Sequence, residues 1–252
     1  MKGQGMWPEG YGRRVLAEVD STNAEAARIV PGLTGPEWIL GLTQVAGRGR
    51  RGRPWTMPAG NFAGTLVLPV SEPPQVVALR SFVASLALYE AFVAVTGRSD
   101  MLALKWPNDV LVNGGKVAGI LLESLGRHGG RDWLAIGMGV NLAGAPDVGE
   151  VEPGALRPVS LMSEAGVRVT PEEFLAVLAS AYAWEEARFV ALGFAGLRDA
   201  WLSRAARLGA VITARTGRHE FTGTFETVDD AGNLVLRTAS GRQAIAAADV
   251  FF

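Results

Sequence analysis

The chain has 252 residues, 48% of them hydrophobic, and a formal net charge of −1, so it can bury one sizeable core and is not a wholly basic nucleic-acid-binding protein. It contains no cysteine, which excludes disulfides, thiol nucleophiles and cysteine-ligated zinc. Its first residues form no apolar signal-peptide core, and a charge or a proline interrupts every apolar stretch. We therefore expect a soluble, cytoplasmic protein without membrane contact.

Helices and strands are predicted to alternate along most of the chain. A helix begins near Ser21 to Asn23, where three capping residues precede helix-forming residues. Apolar runs predict strands over 37–46 and 61–70, and apolar residues at helical spacing predict a long helix after Pro74. The other predicted elements are strands near 102–106, 109–112, 116–124 and 132–142 and helices near 171–192 and 194–206.

The pattern changes after about residue 207, where short strands are separated by turn residues. Short, regularly spaced strands of this kind are typical of a small all-β barrel or cap. We predict the fold class α+β, with a larger α+β domain over 1–206 and a small β domain over 207–252.

The most unusual stretch is the arginine loop, residues 46–61, which lies between two predicted strands. Within six positions it carries four arginines separated by glycines: Arg48, Arg50, Arg51 and Arg53. Such a loop is either solvated, as most charged runs are, or it folds over an anion. Arginine binds oxyanions through paired N–H groups, and ligand charge offsets the cost of ordering a glycine-rich backbone. The residues alone leave both interpretations open.

A pattern search would assign the same loop to a dinucleotide-binding fold, because Gly47, Gly49 and Gly52 match G-x-G-x-x-G. That fingerprint needs a helix N-terminus directly after the glycines to hold the pyrophosphate. Two prolines and another predicted strand follow instead, so we reject this site. We also reject an arginine-glycine tail that binds nucleic acid, because the segment lies inside the apolar domain.

The segment KWPND, residues 105–109, places polar groups around a proline turn at the end of a strand. Asn108 is suited to bond a phosphate or ribose oxygen, and Asp109 is suited to carry Mg²⁺ beside substrate phosphates. An ordinary Asx turn is the alternative interpretation.

Glycines within two later strands predict a trough on one face of the sheet. Lys116 begins a strand that contains Gly119, and an interior strand glycine often marks the close approach of a ligand or of another backbone. Gly137, Gly139 and Asn141 point to one side of their strand by the two-residue period. Tight packing of a helix on the sheet is the alternative.

Taken together, these segments resemble the catalytic domain of biotin protein ligases, which use ATP to attach biotin to carrier proteins. The resemblance rests on DSTN, GRGRRGRPW, KWPNDV, GKVAGILLE and GMGVNL in this order, and it covers almost the whole chain. It implies a class II synthetase-like mixed β-sheet packed with helices, the biotin/lipoate ligase fold, followed by a small SH3-like β-barrel.

The resemblance also implies a two-step reaction with ATP and biotin as substrates and Mg²⁺ as cofactor. The carboxylate of biotin attacks the α-phosphate of MgATP, which gives biotinyl-5′-adenylate and pyrophosphate. A lysine of a biotin carboxyl carrier protein then attacks the mixed anhydride. Both steps build negative charge on oxygens, so fixed cations are expected to supply much of the catalysis.

Site roles follow from the same resemblance, with Lys116, Arg48 and Arg50 as the catalytic residues and Asp109 as the metal ligand. The residues implied in biotin binding are Ser21, Thr22, Asn23, Gln44, Arg48, Gly49, Arg50, Lys116, Gly119, Gly137 and Gly139. Those implied in ATP or adenylate binding are Arg50, Arg51, Arg53, Trp55, Asn108, Lys116 and Asn141, with Trp55 packed on the adenine. The loop over 47–53 is expected to be mobile until an anion orders it.

Three features bear on partners and alternatives. Only 20 residues precede Ser21, too few for the N-terminal helix-turn-helix of some family members, so DNA is not an expected partner. Family members often dimerise through sheet edges, so a homodimer stays open. The alternative functions are a lipoate-protein ligase or octanoyltransferase of the same fold and a non-catalytic regulator that binds biotin.

Overall fold

The computed structural model describes residues 7–147, 156–217 and 219–252. Its larger part contains a mixed sheet whose strands are β1 (Gly12–Leu16), β2 (Glu37–Gly41), β3 (Phe62–Val70), β4 (Leu102–Lys105), β5 (Asp109–Val112), β6 (Gly115–His128) and β7 (Arg131–Val140). The strand order is β1-β2-β3-β7-β6-β5-β4, in which β1 and β2 are parallel and the other neighbours are antiparallel.

The helices are α1 (Thr22–Ile29), α2 (Pro74–Ala78), α3 (Arg80–Thr96), α4 (Leu161–Ala165), α5 (Pro171–Leu192) and α6 (Ala195–Leu202). Thr170 and Glu173 form a reciprocal capping box at the start of α5, and Pro171 takes the first helical position. Helices α3 and α5 pack against each other and share one large core with the sheet. They cover one complete face of it.

Alternation along the central strands separates the two faces of the sheet. Trp38, Leu66 and Ile136 belong to the large core under α3 and α5, whereas Ile39 and Val67 belong to a small core under α1. Helix α1 has only eight residues, so it covers only part of this second face. The uncovered part is available for a ligand.

Most elements follow the prediction in type and place, and the differences have local causes. Strand β1 was not predicted because its sequence, GRRVL, is largely polar and its three middle residues are exposed. The five-residue helix α4 is too short to show a helical period. The predicted long helix is divided at Leu79 into α2 and α3. Among the described residues, no helix precedes α1, so nothing resembling a helix-turn-helix lies there.

One apolar helical stretch differs from our expectation that no segment is long and apolar enough to cross a membrane. Residues Pro74–Thr96 are long and apolar enough by length and composition to cross one. However, 67% of the most apolar window is buried inside the protein. This is the signature of a core helix, in agreement with the packing of α3 against α5.

The C-terminal part forms a second, antiparallel sheet with strands β8 (Val211–Arg215), β9 (Glu220–Val228), β10 (Leu234–Thr238), β11 (Gly241–Ile245) and β12 (Asp249–Phe251). Their order is β11-β10-β9-β8-β12. The turn between β9 and β10 rests on the larger part of the protein, since the carbonyl of Gly232 accepts a 3.0 Å hydrogen bond from Nε1 of Trp106. A Cβ at Gly232 would lie 2.8 Å from Leu79 and 3.0 Å from Phe82, so a larger residue would separate the two parts.

A buried ion pair links helices α3 and α5. The side chain of Arg80 is only 3% exposed, and its Nη2 lies 2.7 Å from Glu72 and 2.8 Å from Glu186. The hydroxyl of Tyr182 donates a further hydrogen bond of 3.0 Å to Glu186. Because both helices bury charge here, each group depends on its partner.

We expect Arg80→Met to destabilise the protein by about 3–5 kcal/mol, because it leaves the buried carboxylate of Glu186 without its cation. Urea denaturation measures the loss. Arg98→Met is the matched control, since the ion pair of Arg98 with Asp100 is exposed on both sides and its removal should leave the midpoint unchanged. Equal midpoints for the two variants would contradict the prediction.

Candidate active site

The candidate site lies on the uncovered part of the second sheet face. Ala63, Gly139 and Gly119 are direct neighbours on β3, β7 and β6, and none carries a side chain larger than a methyl group. They form the predicted trough, and the indole of Trp55 lies in it. A Cβ at Gly139 would come within 2.6 Å of Nε1 of Trp55, so glycine is required for this fit. The cavity has a volume of about 340 Å³, within the range usual for small-molecule sites.

The structure brings the predicted site residues together around this one cavity. With the exception of Arg51, every residue predicted to bind or react lines it: Ser21, Thr22, Asn23, Gln44, Arg48, Gly49, Arg50, Arg53, Trp55, Asn108, Asp109, Lys116, Gly119, Gly137, Gly139 and Asn141. Neither of the two histidines, His128 and His219, lines it. The loop, α1, five strands of the larger sheet and β12 all contribute to its wall.

A buried polar network forms the end of the cavity next to α1. The hydroxyl of Thr65 donates to Oγ1 of Thr22 at 2.8 Å and is 2.6 Å from Oδ1 of Asn23. Oε1 of Gln44 accepts from the backbone N–H of Thr22 at 3.0 Å. Gly137 leaves room for Asn23, because a Cβ there would lie 3.0 Å from the amide carbon. The network fixes these amide and hydroxyl groups before any ligand binds.

Glu123 connects this network to the arginine loop, and sequence reasoning missed it. Its carboxylate accepts a 2.6 Å hydrogen bond from Nδ2 of Asn23 and lies 3.2 Å from Nη2 of Arg48. The two-residue period was the available signal, since Gly119 and Glu123 point to the same face of β6. Thr65 was missed in the same way, two residues along β3 from Ala63.

The arginine loop forms a closed turn. Its two sides are joined by backbone hydrogen bonds from Gly49 to Arg53 at 2.7 Å and from Trp55 to Gly47 at 2.9 Å. The tip is one short 3₁₀ turn, Arg50–Gly52, in which Arg51 has a positive φ of 58°. An extended segment and β3 follow it, and the next helix is α2, so the rejection of a dinucleotide-binding fingerprint is confirmed.

Carboxylates neutralise most of the arginines in this loop. Arg51 and Arg53 lie 2.5 Å and 2.9 Å from Oδ2 of Asp249, which belongs to β12 of the C-terminal sheet. Together with Glu123 at Arg48, these pairs give three of the four loop arginines a carboxylate partner. Mobility of the loop without a ligand stays a prediction.

Arg50 differs from its neighbours, because no carboxylate of the described residues forms an ion pair with it. Its Nη1 lies 3.4 Å from two neutral acceptors, Oδ1 of Asn108 and the carbonyl oxygen of Ala248. Burial lowers the pKa of Arg50 from its usual value, because the charged form loses water, although Asp249 partly offsets this effect. A half-buried cation without a paired anion is suited to bind an anionic ligand.

Two lysines and one carboxylate, from β4, β5 and β6, form another part of the cavity wall. Nζ of Lys116 lies 2.7 Å from Oδ1 of Asp109, and Nζ of Lys105 lies 3.5 Å from Oδ2. Burial alone would raise the pKa of Asp109, but the two ammonium groups outweigh it and hold that pKa below its ordinary value. Lys105 itself lines the cavity and is almost buried, a position that the sequence did not reveal.

This environment does not fit the prediction that Asp109 carries Mg²⁺. Both carboxylate oxygens already face ammonium groups, which repel a divalent cation. The described residues contain no group of three His, Cys, Asp or Glu side chains that could hold a metal. Asp109 therefore holds two cations of the protein in place.

The two predicted asparagines of the nucleotide side have structural partners. Nδ2 of Asn108 donates to the carbonyl of Ile120 at 2.7 Å, which leaves its oxygen free to face Arg50. Asn141 is buried, and its Nδ2 donates to the carbonyl of Val159 at 3.0 Å. The described contacts of Asn141 thus support the cavity wall rather than point into it.

Comparison with known proteins agrees with this fold and site. Residues 15–141 match the biotin/lipoate A/B protein ligase family, and residues 208–252 match the C-terminal domain of biotin protein ligases. A biotin--[acetyl-CoA-carboxylase] ligase from Paracoccus denitrificans is 59% identical over 238 residues, which is 94% of this chain and 99% of that protein.

Solved structures show the same fold. The biotin protein ligase from Aquifex aeolicus in complex with biotin and ATP has a TM-score of 0.80 at 24% identity, covering 95% of this chain and 97% of that one. The Leishmania major enzyme in complex with biotinyl-5-AMP has a TM-score of 0.63 at 24% identity, with 95% and 100% covered.

A mixed sheet with an arginine-rich loop beside a trough of glycines is the arrangement expected of a ligase that forms acyl-adenylates. The chain belongs to the biotin/lipoate A/B protein ligase family. Within that family it is a biotin protein ligase, because its C-terminal part and its relative from Paracoccus both match that group. The predicted resemblance and the predicted fold are confirmed.

We expect Gly139→Ala to displace Trp55 from the trough, because the added methyl group would occupy the position of the indole ring. The indole N–H signal of Trp55, assigned by its loss in Trp55→Phe, should shift in a ¹H–¹⁵N spectrum while the other indole signals stay. Gly144→Ala is the matched control, since a Cβ there has only ordinary contact with Pro58 at 3.6 Å. An unchanged Trp55 signal in Gly139→Ala would show that the ring lies elsewhere.

Proposed function

We propose that this protein activates biotin with ATP and then transfers it to a lysine of a biotin carboxyl carrier protein. In the first step, a carboxylate oxygen of biotin bonds to the α-phosphorus of ATP, and the bond to pyrophosphate breaks. In the second, the amine of the carrier lysine bonds to the acyl carbon, AMP leaves and the amine loses a proton. The products are biotinyl-carrier protein, AMP and pyrophosphate.

The observation that carries this proposal is the convergence of Arg50 and Lys116 on one cavity. Arg50 has no carboxylate partner among the described residues, and Lys116 is 30% exposed towards the cavity while Asp109 holds it. Two cations that line one cavity suit a reaction that builds charge on phosphate and carboxylate oxygens. Neither step needs a cysteine or a histidine, in agreement with their absence from the cavity wall.

We assign biotin to the polar end of the cavity and the nucleotide to the end near Trp55. The fixed amide and hydroxyl groups of Thr22, Asn23 and Gln44 provide the hydrogen-bonding partners that a ureido ring requires. The indole of Trp55 provides a flat apolar surface for the adenine. Arg48, which Glu123 holds between these two ends, is assigned to the carboxylate of biotin.

The relatives support the same chemistry. The Paracoccus protein is named as a ligase that joins biotin to acetyl-CoA carboxylase, and the Leishmania complex contains the adenylate. The family also contains lipoate ligases, so lipoate is the substrate to be excluded. Release of pyrophosphate in the presence of ATP and biotin would exclude a regulator that binds biotin without reacting.

Magnesium, location and assembly are further parts of the proposal. We propose that the triphosphate of ATP carries the magnesium, because no described carboxylate set is arranged to hold it. A reaction that consumes ATP is expected in the cytoplasm. Dimerisation stays a prediction, and β1 is the edge of the larger sheet where copies would meet, since the outer side of β4 pairs with residues 204–206.

The deciding experiment is ATP-dependent labelling of a purified carboxyl carrier domain with biotin, with lipoate in a parallel reaction. Amide-linked biotin on the carrier lysine supports the proposal. Labelling with lipoate alone would identify a lipoate ligase, and binding of biotin without pyrophosphate release would identify a regulator.

Lys116→Ala should reduce adenylate formation by about 10²-fold or more, the scale for removing one donor aimed at developing charge. The fold should persist, because Lys105 still faces Asp109. Pyrophosphate release in single turnovers measures the effect. Arg157→Ala is the control, since this neighbouring surface cation lies outside the cavity. A rate within about threefold of the wild type would remove Lys116 from its role.

Arg50→Gly should still form the adenylate but release it, because the loop loses its contact with the phosphate. Free adenylate acylates exposed lysines, so serum albumin added to the mixture should become biotinylated. The enzyme itself competes little, since it has only three lysines, two of them in the cavity wall.

The matched control for this labelling is the double variant Arg50→Gly, Lys116→Ala. It should leave albumin unlabelled because it forms too little adenylate. Albumin labelling by Arg50→Gly equal to that by the wild type would contradict a role of Arg50 in retention.

A further inference from the structure

The contact between the arginine loop and the C-terminal sheet serves none of the roles proposed above for binding biotin or ATP. Oδ2 of Asp249 lies 2.5 Å from Nη1 of Arg51 and 2.9 Å from Nη2 of Arg53, and both guanidinium groups donate a hydrogen bond to it. Beside it, the carbonyl of Ala248 lies 3.4 Å from Arg50. These two consecutive residues thus contact three of the four loop arginines.

The carboxylate of Asp249 forms no described ion pair with a residue of its own sheet. The residue opposite it on β8 is Arg215, whose guanidinium lies 2.8 Å from Glu220 and stacks on Phe251 at 4.8 Å. Within the described part of the chain, both ion pairs of Asp249 are with the loop. Its carboxylate, 22% exposed, is directed to the cavity that it lines.

The charge of the ligand changes during the proposed reaction, and this gives Asp249 its importance. ATP brings a triphosphate, whose several negative charges can attract all the loop arginines. After pyrophosphate leaves, the adenylate keeps one phosphate with a single negative charge. The loop is then least attracted to its ligand, at the stage when the reactive anhydride must be kept from water.

At that stage, the described ion pairs give the loop arginines different partners. Glu123 holds Arg48 at the start of the loop, and the adenylate phosphate is left for Arg50. Arg51 and Arg53 both pair with Asp249, the described carboxylate that lies within reach of both. The C-terminal sheet can serve as this support because its turn at Gly232 is packed firmly on the larger part.

We propose that Asp249 is a positioning residue that holds the arginine loop closed through Arg51 and Arg53, so that the acyl-adenylate stays in the cavity between the two steps. This inference rests on the proposed function. It makes the C-terminal sheet part of the loop closure, and it separates two tasks among the arginines: Arg50 contacts the ligand, whereas Arg51 and Arg53 contact the protein.

The test compares Asp249→Asn with the wild type after both have formed adenylate from biotin and ATP. Dissociation of the adenylate, followed by rapid gel filtration, should be roughly tenfold faster in the variant, as expected for the loss of two half-exposed ion pairs. Albumin labelling should rise with it. Biotin affinity without nucleotide should be unchanged, because the polar end of the cavity is untouched.

Limited digestion with trypsin reports on the loop directly, since trypsin cleaves after arginine. Without ligand, Asp249→Asn should be cut within residues 48–51 faster than the wild type, while both unfold at the same temperature. Asp230→Asn is the matched control: it removes another carboxylate of the C-terminal part, one that pairs with Arg198 away from the loop. It should match the wild type in both measurements.

A second variant keeps the inference testable if Asp249→Asn unfolds. Arg51→Gln leaves the C-terminal sheet intact and removes one of the two ion pairs of Asp249, so it should also release adenylate faster than the wild type. Combining it with Asp249→Asn should give no faster release than Asp249→Asn alone, because both changes remove the same contact.

The outcomes separate the inference from the proposed function. A wild type that forms adenylate, with release and cleavage in Asp249→Asn within twofold of it, would overturn the role of Asp249 alone. A wild type that releases no pyrophosphate would overturn the proposed function and the retention role with it. Additive effects of the loop and Asp249 changes would also contradict the inference.

Discussion

Positive charge gathered on one uncovered part of a sheet face is the constraint on which this structure depends. Three arginines of one loop and two lysines line a single cavity, and the fourth arginine of the loop, Arg51, pairs with Asp249 in its wall. Without counter-charges they would repel one another and lose the water that stabilises them. Glu123, Asp109 and Asp249 supply those counter-charges, each from a different part of the chain, and they fix the cations before a ligand arrives. Among the described residues, no carboxylate forms an ion pair with Arg50.

The sheet makes this arrangement possible because its two faces have different tasks. One face is fully packed under α3 and α5 and provides stability. The other is only partly covered by α1, and its small residues leave a trough that holds Trp55. A cation cluster built on a flexible surface would relax away from its partners, whereas here the rigid strands keep Lys116 and Glu123 at fixed positions. The C-terminal sheet completes the wall with a strand that lies far along the chain.

Much of the fold and of the site could be predicted from the sequence. The strands, the main helices and the glycine trough follow local rules of alternation and spacing, which is why they were found at nearly the right bounds. Where the prediction was incomplete, local signals were weak: β1 is polar and α4 has one turn. The assignment of Mg²⁺ to Asp109 stays a prediction that the two lysines beside it do not favour, since a carboxylate in a turn looks the same in sequence whether a metal or two lysines face it.

The sequence by itself determined which residues share a strand face and which segment concentrates positive charge, because both are properties of neighbouring residues. Only the tertiary structure decided how those charges are balanced. Arg48 and Glu123 are 75 positions apart, and Arg51 and Asp249 are 198 apart, yet each pair is in contact. Electrostatic energy depends on the distance between charges in space and on the water around them, neither of which is written in the order of residues. The difference between Arg50, which has no carboxylate partner among the described residues, and its ion-paired neighbours therefore appears only in the folded chain.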